Sequence, residues 1–170
     1  MKPIRNLNVY FNETPVGKLA ITPQKLVAFE YDAEWIANGF SISPFSLPLE
    51  KKVFIPKYDP FDGLFGVFND TLPDGWGRLL IDRLLLKNNI NPMDIDPINR
   101  LSIAGSSGMG ALIYKPENPL THSDWIFDLD KLAEESKKIL NSQFSENLDE
   151  LVAAGGSSGG ARPKILTKIN

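Results

Sequence analysis

IRNLNVYFNETPVGKLAI, residues 4–21, is the stretch from which the fold class is read. Leu7, Val9 and Phe11 alternate with other residues and would share one face of a strand over 4–11. The turn formers NETP follow, and VGKLAI (16–21) reads as the returning strand. KLVAFEYD (25–32) adds a third strand, with Leu26, Ala28 and Glu30 on one side and Val27, Phe29 and Tyr31 on the other. Both faces are partly apolar, as expected of a sheet covered on both sides. The chain therefore starts with a small antiparallel sheet.

Working outward, residues 44–62 combine Pro44, Pro48, Pro56 and Pro60 with Phe45, Phe54, Tyr58 and Phe61. This predicts an irregular segment anchored by its rings, because proline breaks regular structure and aromatic side chains favour burial. A helix is expected after Asp74, a plausible N-cap, with Trp76, Leu79, Leu80 and Leu84 at helical spacing, an Arg78–Asp82 pair, and an end at Asn88–Asn89. A short helix in MDIDPINRLSIAG stops at Gly105, and GALIYKP (110–116) reads as a strand. Residues 127–140 form an amphipathic helix on this reading, burying Leu129, Leu132, Ala133, Ser136, Ile139 and Leu140. A final helix over 145–154 is capped by Ser145 and buries Leu148, Leu151 and Val152. Gly155 falls where a left-handed C-terminal cap is expected, and PKILTKI is the last strand. The expected fold class is α+β, with an antiparallel bias and a boundary between about residues 105 and 125.

At 170 residues the chain can bury one sizeable core or two small ones. Eighteen basic and 21 acidic side chains give a net charge of −3 with no Lys/Arg-rich run, which argues against direct binding to nucleic acid. The absence of cysteine removes disulfides, thiolate nucleophiles and cysteine zinc sites. No stretch approaches the roughly 20 apolar residues of a membrane helix, and the opening MKPIRNLNVYFNETPVG lacks the apolar core of a secretory signal. A cytoplasmic protein is the simplest expectation.

The most chemically suggestive segment is GGSSGGARPK, residues 155–164. A phosphate is held by several converging backbone N–H groups, and side chains at those positions would block its approach. Gly156, Gly159 and Gly160 leave that space, with Ala161 in the same run, and Ser157 and Ser158 add hydroxyl donors. Arg162 and Lys164 supply charge at the loop exit. The segment fits neither the Walker A pattern nor the dinucleotide fingerprint, and a mobile linker is the plain alternative. The near-echo AGSSGMG (104–110) reads as a tight turn. Asp94 and Asn99 share the D-x-x-x-x-N spacing of a kinase catalytic loop, but Pro97 lies inside it and no companion motif accompanies it, so the match reads as accidental. His122, the only histidine, reads as a solvent-facing loop residue and allows neither a His-paired metal site nor a straightforward Ser-His-Asp triad. Asp70 and Asp74 read as candidate paired carboxylates, but capping explains Asp74 adequately. No catalytic constellation and no metal site is read from these residues.

NDTLPDGWGRLLIDR (69–83), INRLSIAGSSGMGALIYKP (98–116) and GGSSGGARPK (155–164) resemble, in order and spacing, the N-terminal part of HipA-family kinases. These are bacterial serine/threonine kinases that act as toxins in HipA–HipB toxin–antitoxin pairs. The resemblance implies a two-lobed kinase related to the phosphoinositide-3/4-kinase-like group. Residues 1–110 would be its N-terminal subdomain, and 111–170 the start of the kinase N-lobe, with 155–164 covering ATP. It further implies that Ser157 is the autophosphorylated serine, that Ser158 is a neighbouring hydroxyl, and that ATP and Mg²⁺ serve the full-length enzyme. The family's catalytic aspartate and metal-holding residues would lie beyond Asn170, so this chain is expected to be inactive alone. Implied partners are a HipB-like antitoxin, DNA only through that antitoxin, and a protein substrate such as an aminoacyl-tRNA synthetase. The alternative is a stand-alone N-subdomain-like module that binds and restrains a separate kinase. A third reading is a plain interaction domain with a linker tail.

Overall fold

The structure is a computed structural model that describes residues 3–120, 129–156 and 159–165. In chain order its elements are β1 (Asn6–Phe11), β2 (Thr14–Ile21), β3 (Val27–Tyr31), α1 (Ala33–Asn38), β4 (Val53–Phe54), α2 (Gly66–Asn69), α3 (Gly75–Lys87), a 3₁₀ turn at Pro92–Asp94, α4 (Pro97–Ala104), β5 (Leu112–Lys115), α5 (Leu129–Leu140) and α6 (Leu148–Gly155). The protein is α+β. It divides into two compact units: Met1–Leu72 with Ile95–Pro119, and Pro73–Asp94 with Leu120–Asn170.

The first unit is built on a five-stranded antiparallel sheet in the order β4-β3-β2-β1-β5. β1 and β2 close on the pair Phe11–Thr14 through Asn12 and Glu13, whose φ values of 45° and 67° make a two-residue turn that follows the twist of the strands. The turn is thus shorter than NETP, and Pro15 lies inside β2. There, β3 pairs only with Gly17–Ile21, so Pro15 sits beyond the reach of that neighbour. The register jumps between Val9–Gly17 and Tyr10–Pro15, which leaves Val16 as a bulge whose side chain is buried. Gly17 owes its place to close approach: a Cβ there would lie 2.3 Å from the Glu30 carbonyl oxygen and 2.8 Å from the Phe29 ring.

Leu7, Val9, Leu19, Val27, Phe29 and Tyr31 are buried on one face, joined by Trp35, Leu47, Phe54, Leu64, Phe68, Ile98, Leu101 and Tyr114. The other face carries exposed Asn6, Lys18, Ala20 and Glu30, with Lys18 directly opposite Glu30. The expectation of a sheet covered on both sides is therefore corrected. Only Ala28 is buried on that side of β3, and a methyl group is too small to hold a second layer.

The 44–62 segment is anchored differently from the sequence reading. Phe45 and Tyr58 are exposed, while Leu47 and Phe54 are buried. The Tyr31 hydroxyl enters this segment, donating to the Leu47 carbonyl (2.7 Å) and accepting from the Ile42 N–H (3.1 Å). Backbone hydrogen bonds to a fixed phenol thus replace most of the expected ring burial. Asn99 is likewise structural. Its Oδ1 accepts from the Ile4 N–H at 2.8 Å and its Nδ2 donates to Asp96 at 2.7 Å, which accounts for the residue without any kinase-like role. In the 104–110 turn, Ser107 donates to the Ala104 carbonyl and Ser106 to Glu117, so both hydroxyls are used within the fold. Tyr114, the buried residue of β5, shares a 2.9 Å hydrogen bond with Thr71, and burial pushes its phenol up so that it stays neutral.

In the second unit, Trp76, Leu80 and Leu84 of α3 pack with Leu132 and Ile139 of α5 and with Leu148, Leu151 and Ala154 of α6. Two sequence expectations change. Ala133 and Leu140 are exposed, and the buried face of α5 carries Glu135 between Leu132 and Ile139. α6 begins at Leu148, not at 145, because the Ser145 hydroxyl donates to the Glu135 carboxylate (2.7 Å) instead of capping a helix. The Arg83 guanidinium donates to the carbonyls of Ile139 and Gln143, satisfying acceptors where α5 ends. Arg78 and Asp82 are 3.8 Å apart, as the i, i+4 spacing predicts.

The compact units follow the strand pairing. β5 pairs with β1, which draws residues 111–119 into the first unit, while α3 belongs to the second. Residues 163–165 form no strand, and the remainder of the expected last strand, like His122, lies outside the described residues.

Candidate functional site

α6 runs into the glycine loop without the left-handed cap expected at Gly155. Gly155 is the last helical residue, and Gly156 follows with φ −66°, its N–H donating to the Val152 carbonyl at 2.7 Å. What excludes a side chain at Gly155 is proximity, since a Cβ would lie 2.4 Å from the Lys164 carbonyl oxygen. Ser157 and Ser158 lie outside the described residues. The loop continues through Gly159 and Gly160, the latter with φ +86°, a conformation that favours glycine.

The loop is seated on the start of α3. The Trp76 N–H donates to the Gly160 carbonyl at 2.7 Å, which satisfies a helix N-terminal donor with a loop acceptor. In return the Gly160 N–H donates to the Asp74 carboxylate. Asp74 occupies the N-cap position but makes no side-chain cap bond to its own helix. The sequence reading of Asp74 as a cap is corrected: the carboxylate serves the loop. Gly75 permits the approach. Its φ is +44°, and a Cβ there would lie 2.5 Å from the Gly160 carbonyl oxygen.

Of the residues expected at the site, Gly159, Gly160 and Lys164 are brought together, with the Lys164 ammonium donating to the Gly159 carbonyl. Gly156 is buried at the helix end, while Ala161 and Arg162 are exposed on the loop. Sequence reasoning missed the seat formed by Asp74 and Gly75. Its signal was present in DGWG: two glycines in the first turn of an otherwise leucine-rich helix, where intrinsic propensity disfavours them.

Chemically, the loop presents an N–H, that of Gly160, already bonded to an anionic oxygen. The donor that a phosphate oxygen would need, the Gly160 N–H, is here bonded to the Asp74 carboxylate. These residues fit a phosphate. Among the described residues no group of three or more His, Cys, Asp or Glu could hold a metal ion. Among the described residues no helix is long and apolar enough to cross a membrane.

The family model described as the HipA N-terminal domain matches residues 7–115, which span the five-stranded sheet, α1 to α4 and the seat. No curated protein matches the chain. The glycine loop lies outside the matched range. The match covers well over half of the 170 residues, and the chain belongs to the HipA N-terminal domain family.

Proposed function

We infer that this chain is the N-terminal part of a HipA-like serine/threonine kinase toxin and that residues 155–164 cover the phosphates of ATP. The observation that carries the reading is the Gly160 N–H holding a carboxylate on the α3 seat, in a chain of the HipA N-terminal domain family. An amide aimed at an anionic oxygen, on glycines that leave room for it, is the local chemistry of phosphate binding. On this reading Gly156, Gly159 and Gly160 leave space for the triphosphate, Ser157 and Ser158 add hydroxyls, and Arg162 and Lys164 add charge. The full-length enzyme would use ATP and Mg²⁺, act in the cytoplasm on a protein serine of an aminoacyl-tRNA synthetase-type target, and pair with a HipB-like antitoxin. Its regulation would run through Ser157, because a phosphate added to a loop shaped for phosphates repels the nucleotide.

The test is phosphoryl transfer by the intact gene product. With labelled ATP, label is expected on serine, and prior incubation with ATP is expected to silence the wild type but not Ser157→Ala. A Ser157→Ala enzyme that is silenced equally removes the regulatory role of that serine. No transfer to protein, together with co-purification of a separate kinase, favours the restraining module instead.

A further inference from the structure

The Asp74 carboxylate and a nucleotide phosphate compete for one donor. Asp74 reaches the loop across 86 residues of sequence and takes the Gly160 N–H. Gly75 at φ +44° lets the backbones meet, and the Trp76 N–H holds the Gly160 carbonyl at 2.7 Å. A Cβ on Gly159 would lie 3.2 Å from the same carboxylate oxygen. The Lys164 ammonium donates to the Gly159 carbonyl. The loop's donor and one of its cations are therefore both engaged by the chain itself. Asp74 and Gly160 are exposed and Gly159 is half-buried, so the carboxylate can swing away into water at little desolvation cost.

We propose that Asp74 is an internal latch: it occupies the anion position of the glycine loop and must leave the Gly160 amide before a polyphosphate can bind. The idea rests on the phosphate reading of the loop and adds a control point on a different element. A unit negative charge a few ångström from the site opposes the ligand, so removing it should tighten binding about 5-fold in a solvent-rich environment.

Two readouts separate the latch from the phosphate reading. The first is hydrogen exchange at the Gly160 amide in the free protein, wild type against Asp74→Ala. Loss of the acceptor should accelerate exchange about 10-fold, the equivalent of one hydrogen bond. Unchanged exchange overturns the latch. The second is the affinity of the intact gene product for ATP, wild type against Asp74→Asn, which keeps the shape and an acceptor oxygen but loses the charge. Tighter binding by the variant supports competition. Equal or weaker binding makes Asp74 at most a positioning residue and overturns the latch. Absence of ATP binding in both proteins, with Gly160 exchange still dependent on Asp74, overturns the phosphate reading and the competition while keeping the contact.

Discussion

Trp76 joins a buried side chain and a working backbone group at one position. Its indole is 2 % exposed in the core of the second unit, and its N–H donates to Gly160. Trp76→Ala leaves the backbone donor in place and removes the ring, so its cost is mainly transfer plus cavity, about 3–5 kcal/mol. Urea unfolding followed through the helices of the second unit measures this, and a loss under about 1 kcal/mol would show that the core closes over the gap. The glycines of 155–160 and the helical spacing of Trp76, Leu80 and Leu84 are legible in the sequence because each pattern is local. The seat is not. Asp74 followed by a helix satisfies every rule for an N-cap, and only the folded chain brings it a competing donor from Gly160.

At the scale of elements, α5 and the start of α6 are tied by Glu135. This carboxylate accepts hydrogen bonds from Lys138 and Ser145, which hold it below the ordinary glutamate value near 4.5 despite the opposing effect of burial. A depressed folded-state pKa means the unfolded chain binds the proton more readily. The contribution is therefore fully present above the unfolded value and is lost as the pH falls through the folded one. Stability of the second unit should drop on acidification below about pH 4.5, and Glu135→Gln should flatten that dependence. Denaturant midpoints across the acid range decide it: an unchanged acid limb in the variant would assign the loss to other carboxylates. Ser145 reads from sequence as a cap because that rule considers only its own element, and only the folded chain brings it the Glu135 carboxylate. The β1–β2 hairpin, by contrast, is legible from alternation, whereas the six-residue α1 is too short to show a helical period.

For the whole molecule, the sequence reading places a boundary between about residues 105 and 125, while the course of the compact units depends on pairing between distant strands. β5 joins β1 across about 100 residues, so the first unit closes around two separate stretches of chain. Each unit has its own apolar cluster. Among the described residues the first holds 15 buried members and the second 8, so the second buries less apolar side chain to resist opening. Native-state hydrogen exchange should then show α5 and α6 opening at lower free energy than β2 and β3. Leu132→Ala, which empties a fully buried position in the smaller cluster, costs about 2–5 kcal/mol there and should lower protection throughout α5 and α6 while leaving β2 unchanged. Equal loss of protection in β2 would mean that the two cores open as one cooperative body. The result bears on the loop directly, because α6 runs into it and α3 seats it, so an opening of the second unit that spares the sheet would release the Gly160 contact without unfolding the family domain's strands.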